Sequence, residues 1–240
     1  MPSRRFLWLL VFCFSWLGTT IPTLASNLAT EDLLQLLKQI DRTIEKKASL
    51  HTEYEMKLQH LKRKAAKEKG MSRVECYKQL FRAYAHYQSD SALTYLERIE
   101  DLAKELPQQP QIQTWVSIGR AEVFGIMGLY KSAATLLEKI SLKGEPDAMR
   151  LYYYQVSRSV YGWMADYGEI GESSKKLQQL TANYRDSILL VETDPTNRAI
   201  VLADKLINDG HLQEGRVLCL RTLSHADPLQ HAYLYTLLAD

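Results

Sequence analysis

Catalytic grammar is missing from this sequence. It has no His-Glu-x-x-His pair, no glycine-rich phosphate loop and no Gly-x-Ser-x-Gly elbow. The six histidines do not fall at ligand spacing; His225 and His231 with Asp227 between them straddle an expected turn and one helix, where solvated side chains explain them as well. Neither a metal nor a cofactor is expected, and no residue is assigned a catalytic role. Cysteine is scarce: Cys13, Cys76 and Cys219 are the three. The last two lie far apart on different expected helices and read as small buried residues rather than a disulfide. Charge of one sign is lacking too. The formal net charge is +2, and two of the basic residues, Arg4 and Arg5, sit in a segment that reads as a removable leader. A chain so close to neutral is not built to hold nucleic acid. The apolar run from Phe6 to Leu17 is about a dozen residues, short of the roughly 20 that a membrane span needs.

What that run does fit is a signal peptide. Arg4 and Arg5 precede it, and Thr23-Leu24-Ala25 supplies small residues where a signal peptidase cuts. The expected leader is residues 1–25, with the mature chain exported to the periplasm and starting at Ser26. Lipidation at Cys13 is disfavoured because the bulky Phe12 precedes it inside the apolar run.

Glycine and proline are absent from Thr30 to Lys69, which allows one long helix across residues 28–70, capped by Thr30. Leu33, Leu37, Ile40, Ile44, Lys47, His51, Tyr54, Leu58, Leu61 and Ala65 alternate spacings of four and three, a heptad seam. Lys47 and His51 weaken its middle. Self-association through this helix and packing along its own repeat domain are both open, the second being favoured. Its basic end (Lys57, Lys62, Arg63, Lys64, Lys67, Lys69) reads as a solvated face that suits the negative pole of a helix.

The rest of the chain, residues 72–240, repeats one pattern. Around Phe124 to Ile140, a helix from about Gln111 to Met127 is followed by Gly128, then by a second helix with small Ala133 facing inward and Leu137 and Ile140 behind it. Gly144-Glu145-Pro146 breaks the chain again. An earlier hairpin has a Ser72/Glu75 capping box, a stripe of Tyr77, Leu80, Phe81, Tyr84 and Tyr87, a turn at Gln88-Ser89-Asp90, and Ala92, Leu96 and Ile99. A later one begins after Asp194-Pro195, turns at Asn208-Asp209-Gly210, and continues with Leu212, Gly215, Cys219 and Leu223. Between them an aromatic helix from Asp147 to about Asp166 carries Tyr152, Tyr153 and Tyr154; three consecutive residues cannot share one buried face, so one of them should be partly exposed. Asp227-Pro228 opens a last helix, read as the first half of a fifth, truncated hairpin.

This grammar, carried by Phe124, Gly128, Tyr130, Ala133, Leu137 and Ile140, resembles the tetratricopeptide repeat (TPR). The fold class expected is all-α: a right-handed TPR-like solenoid of about four helical hairpins preceded by one long helix. Such a stack presents a groove, and the repeat pattern places Lys78, Arg82, Glu122, Tyr152, Gln155 and Asp204 toward it.

A second resemblance rests on Asp32-Leu33-Leu34, on Tyr87-Gln88-Ser89-Asp90-Ser91-Ala92-Leu93, on Tyr184-Arg185-Asp186-Ser187, and on Asp227-Pro228 with His231-Ala232. Over about residues 28–240 the chain resembles the exported half of a membrane-anchored regulatory family of unknown function from Bacteroidetes. In that family a TPR-like periplasmic domain precedes a membrane helix, a coiled coil and a cytoplasmic part acting in transcription. The resemblance implies a non-enzymatic sensor or binding module for a protein or peptide ligand, with membrane attachment only through a segment beyond residue 240. A soluble periplasmic adaptor or chaperone, or a carbohydrate-binding surface protein, stays open beside it.

Overall fold

The computed structural model describes residues 38, 41–42, 44–167 and 171–239. The expected leader, Cys13, the cap Thr30, the seam positions Leu33, Leu37 and Ile40, and the turn residue Gly168 lie outside these. The chain divides into two compact units, with the boundary between Gln59 and His60 inside the first described helix, α1 (Lys47–Lys67). Along the seam, Ile44, Lys47 and His51 are exposed, Tyr54 and Leu61 are half-buried, and Leu58 and Ala65 are buried. The polar pair therefore sits on its solvated stretch, as the cost of burying charge requires.

The second unit is built from helices alone among the described residues. In order they are α2 (Gly70–Ala85), α3 (Ser89–Lys104), α4 (Gln111–Ile126), α5 (Tyr130–Glu138), α6 (Asp147–Tyr167), α7 (Glu172–Val191), α8 (Pro195–Asn208), α9 (Leu212–Leu223) and α10 (Pro228–Ala239). Each even-numbered helix pairs with the next as a hairpin as far as α9, and α10 follows as a single helix. Successive hairpins touch through α3 with α4, α5 with α6, α7 with α8 and α9 with α10. First helices also pack side by side, α2 with α4, α4 with α6 and α8 with α10. Each hairpin thus buries its apolar face against its sequence neighbours, the construction principle of a TPR-like solenoid.

Local chemistry explains the breaks. Gly128 sits at φ 79° between α4 and α5, a left-handed conformation that a side chain resists. At the start of α8, the Asp194 side chain accepts a hydrogen bond from the Asn197 backbone N–H at 2.7 Å, and Pro195 occupies the first turn, where no N–H is needed. Close approach requires small residues where helices meet. A Cβ on Gly215 of α9 would lie 2.7 Å from Ile207 Cγ1 and 3.1 Å from the Ala203 carbonyl oxygen, both on α8. Ala133 and Leu137 are fully buried as the pattern requires.

Three local expectations differ from the structure. Helix α5 stops at Glu138, so Ile140 lies past its end and is only half-buried. Gly70 opens α2 instead of closing α1, and Ser72 makes no cap; Glu75 pairs with Lys78 at 2.8 Å, one turn further along the same helix. The first hairpin turns at 86–88, because Ser89 and Asp90 already belong to α3. Cys76 and Cys219 are free and buried.

Candidate functional site

The even-numbered helices carry a groove of about 1260 Å³. It runs from Glu122 and Ile126 on α4, across α6, to Val201 and Asp204 on α8 and Tyr233 on α10, with part of α7 forming its floor. On α6 the lining side chains recur at helical spacing: Tyr152, Gln155, Ser159, Trp163 and Asp166. That single face explains the triple tyrosine. Tyr153 is buried and its hydroxyl donates to the Leu137 carbonyl on α5 at 3.3 Å; Tyr152 turns to the groove and is half-buried. Tyr154 is half-buried too, its ring 6.2 Å from Tyr184 of α7.

At the α4 end, Tyr152 Oη donates to Glu122 Oε2 at 2.5 Å, and the Tyr152 ring stacks on Trp115 with centroids 5.7 Å apart. Burial raises the Glu122 carboxyl above the ordinary carboxylate range, outweighing the hydrogen bond from Tyr152 and the charges of His86 and Arg82, which pull it down. Burial likewise pushes the Tyr152 phenol well up, helped by the adjacent carboxylate. The two groups therefore share one desolvated corner of the groove.

The α8 end is organised around one carboxylate. Asp204 Oδ2 lies 2.7 Å from Arg185 Nε of α7 and 3.3 Å from Arg158 Nη2 of α6, while Asn208 Nδ2 donates to Asp204 Oδ1 at 3.1 Å. The Arg185 and Asp204 side chains are each 7% exposed. Arg158 also donates to the Tyr233 hydroxyl on α10, and Gln230 of α10 donates to Asn197 of α8 at 2.7 Å. Side chains thus tie α6, α7, α8 and α10 together across the groove.

Of the six residues that the repeat pattern turned toward a groove, Glu122, Tyr152, Gln155 and Asp204 line it. Gln155 is exposed, whereas Asp204 is a buried structural node on the groove wall. Lys78 and Arg82, on α2, are outside the lining. Lys78 instead sits over the Trp115 ring, 5.1 Å from its centroid, beside its Glu75 partner. Sequence reasoning missed Arg158, Trp163, Arg185 and Tyr233. For Arg185 a signal was present: it stands in the apolar stripe that Tyr184 and Ile188 mark, where an unpaired charge would be intolerable. A second, shallower depression of about 370 Å³ lies on α9 beside Val217 and Arg221.

Four helical hairpins with small residues at their crossings and a groove lined by their first helices define a TPR-type protein, an all-helical class typical of interaction modules without catalysis. Residues 44–239 match the family described as the SusR N-terminal TPR domain, and the chain belongs to that family. Comparison with curated proteins and comparison with solved structures each give no match. TPR domains mediate protein–protein interactions, and the family makes this chain a regulator-associated module.

Proposed function

We propose that this chain is the exported, non-enzymatic sensor or binding module of a membrane-anchored transcriptional regulator, and that it takes a protein or peptide in the groove of its first helices. The observation that carries the reading is the groove itself. Aromatic and polar side chains from α4, α6, α8 and α10 converge there. Glu122, Tyr152 and Gln155 would touch the ligand; Asp204 would fix the arginines that shape the wall. Lys78 and Arg82 would meet a ligand only if it extends past the groove toward α2.

Occupancy would be transmitted by the links between first helices. Arg158 bridges to Asp204 and Tyr233, so a ligand that displaces it changes how α8 and α10 pack against α6. Export follows from the reading of residues 1–25 as a leader, and anchoring from a segment beyond Asp240. Two measurements test this. The mature protein in a periplasmic fraction should start at Ser26, and the reading frame past Asp240 should encode an apolar stretch of roughly 20 residues followed by a cytoplasmic segment. An intact Met1 in the cytoplasm would sink export. A stop codon directly after Asp240 would sink anchoring and leave a soluble periplasmic adaptor.

A further inference from the structure

The groove has a charge asymmetry that narrows its partner. Its lining holds five carboxylates, those of Glu122, Asp166, Glu192, Asp204 and Asp209, against two guanidinium groups, Arg158 and Arg185, one imidazole, His86, and no lysine. The two arginines share one carboxylate, Asp204, which leaves that node one net positive charge. Asp209 has Lys205 at 3.2 Å, and Glu192 accepts the Asp194 backbone N–H at 2.9 Å. Glu122 and Asp166 are different. Neither forms an ion pair among the described residues, and Glu122 has only the neutral Tyr152 hydroxyl as its hydrogen-bond partner. Arg82 and His86 are close enough to act on Glu122 through space, yet neither is bonded to it.

The same lining carries aromatic rings. Tyr152 and Trp163 both face the groove from α6, and Trp163 is held from behind by Tyr130 of α5, with centroids 6.2 Å apart. A Cβ on Gly125 would come 2.9 Å from Trp163 Cζ3, so α4 packs directly against that ring and fixes its position. A ring face beside a carboxylate that lacks an ion-pair partner suits a cation with an apolar stem: the stem lies along the ring while the charge reaches the oxygen.

Building on the peptide-binding reading above, we propose that the groove selects a basic peptide segment, whose lysine or arginine side chains are received by Glu122 and Asp166 beside the Tyr152 and Trp163 rings. Charge complementarity is the argument for this occupant. An acidic segment would meet two carboxylates without an ion-pair partner, with only the single net positive charge of the Asp204 node to set against them.

The test is to pan a random dodecapeptide library on the immobilised protein, and in parallel on a Glu122→Gln/Asp166→Asn double variant shown by circular dichroism to keep its helicity. Lysine and arginine should be enriched over the input by about threefold or more on the wild type, and the bias should vanish on the variant. Selected peptides should also bind more weakly as salt rises. Enrichment of acidic residues, or the same basic bias on both proteins, overturns the charge assignment and leaves the peptide-binding reading standing. Failure to select any peptide on the wild type overturns both.

Discussion

Replacing Asp204 with alanine tests the wall of the groove most severely. The change removes one carboxylate and leaves two guanidinium groups facing each other, one of them 7% exposed. Removing one partner of a buried pair costs about 3–5 kcal/mol, because the remaining charge stays desolvated. Burial of both side chains means that solvent screening does not reduce the figure as it would for a surface pair. For a unit of this size each kcal/mol lowers Tm by about 2–4 °C, so a drop of about 6–20 °C is expected. Thermal and urea unfolding followed by circular dichroism would read it. The loss should concentrate in the last hairpins, since a solenoid is stabilised by nearest-neighbour contacts; hydrogen exchange should show α8 and α10 opening first. Combining Asp204→Ala with Arg185→Met should recover part of the stability, because an apolar side chain carries no charge to strand. A fall below about 1 kcal/mol, the range of a surface pair, would refute the argument that this node is desolvated and structural.

Three further outcomes follow from the packing and charge of the hairpins. Gly215→Ala should cost about 1–3 kcal/mol by overpacking, since the new methyl would meet Ile207 and the Ala203 carbonyl of α8; urea midpoints would show it. Gly128→Ala should cost about 1–2 kcal/mol for a different reason, the left-handed φ of 79°, because nothing lies within 4 Å of its Cβ position. Glu122 gives a pH signature. Its folded carboxyl holds a proton more tightly than the ordinary value of 4.5, so stability should fall as pH rises from that value through the raised one. Glu122→Gln should abolish this slope, leaving the variant at least as stable as wild type at neutral pH; an unchanged slope in Tm against pH would show that another group titrates.

The hairpins were legible because each is punctuated by residues with one physical use. Gly128, Pro146, Asp194-Pro195 and Gly210 mark turns and starts, and Ala133 and Gly215 mark close crossings, so helix identity could be read from short range alone. Boundaries without such punctuation shifted: Ser72 and Glu75 match a capping pattern, but α2 already starts at Gly70 and Glu75 finds Lys78 instead. The face of α6 was half legible. Its tyrosines were known to divide between core and groove, but which went where depends on the contact of Tyr153 with Leu137, a register no local pattern fixes. The assembly of the arginine node was illegible for a simpler reason. Arg158, Arg185, Asp204 and Tyr233 span 75 residues, and only packing of the hairpins brings them to one point. Lys78 and Arg82 were assigned to the groove by repeat register, yet the first hairpin reaches the lining only through His86, just past the end of α2.

The central claim is that the groove of the first helices is the working surface. The most direct measurement is site-specific photocrosslinking in the cells that make the protein, with benzoylphenylalanine at Gln155 in the groove or at Val217 on α9. Both positions are exposed, so access alone does not distinguish them. The account predicts a discrete crosslinked polypeptide from position 155 and none from 217. A partner captured from 217 and not from 155 would contradict it, and would move the interaction to the second helices.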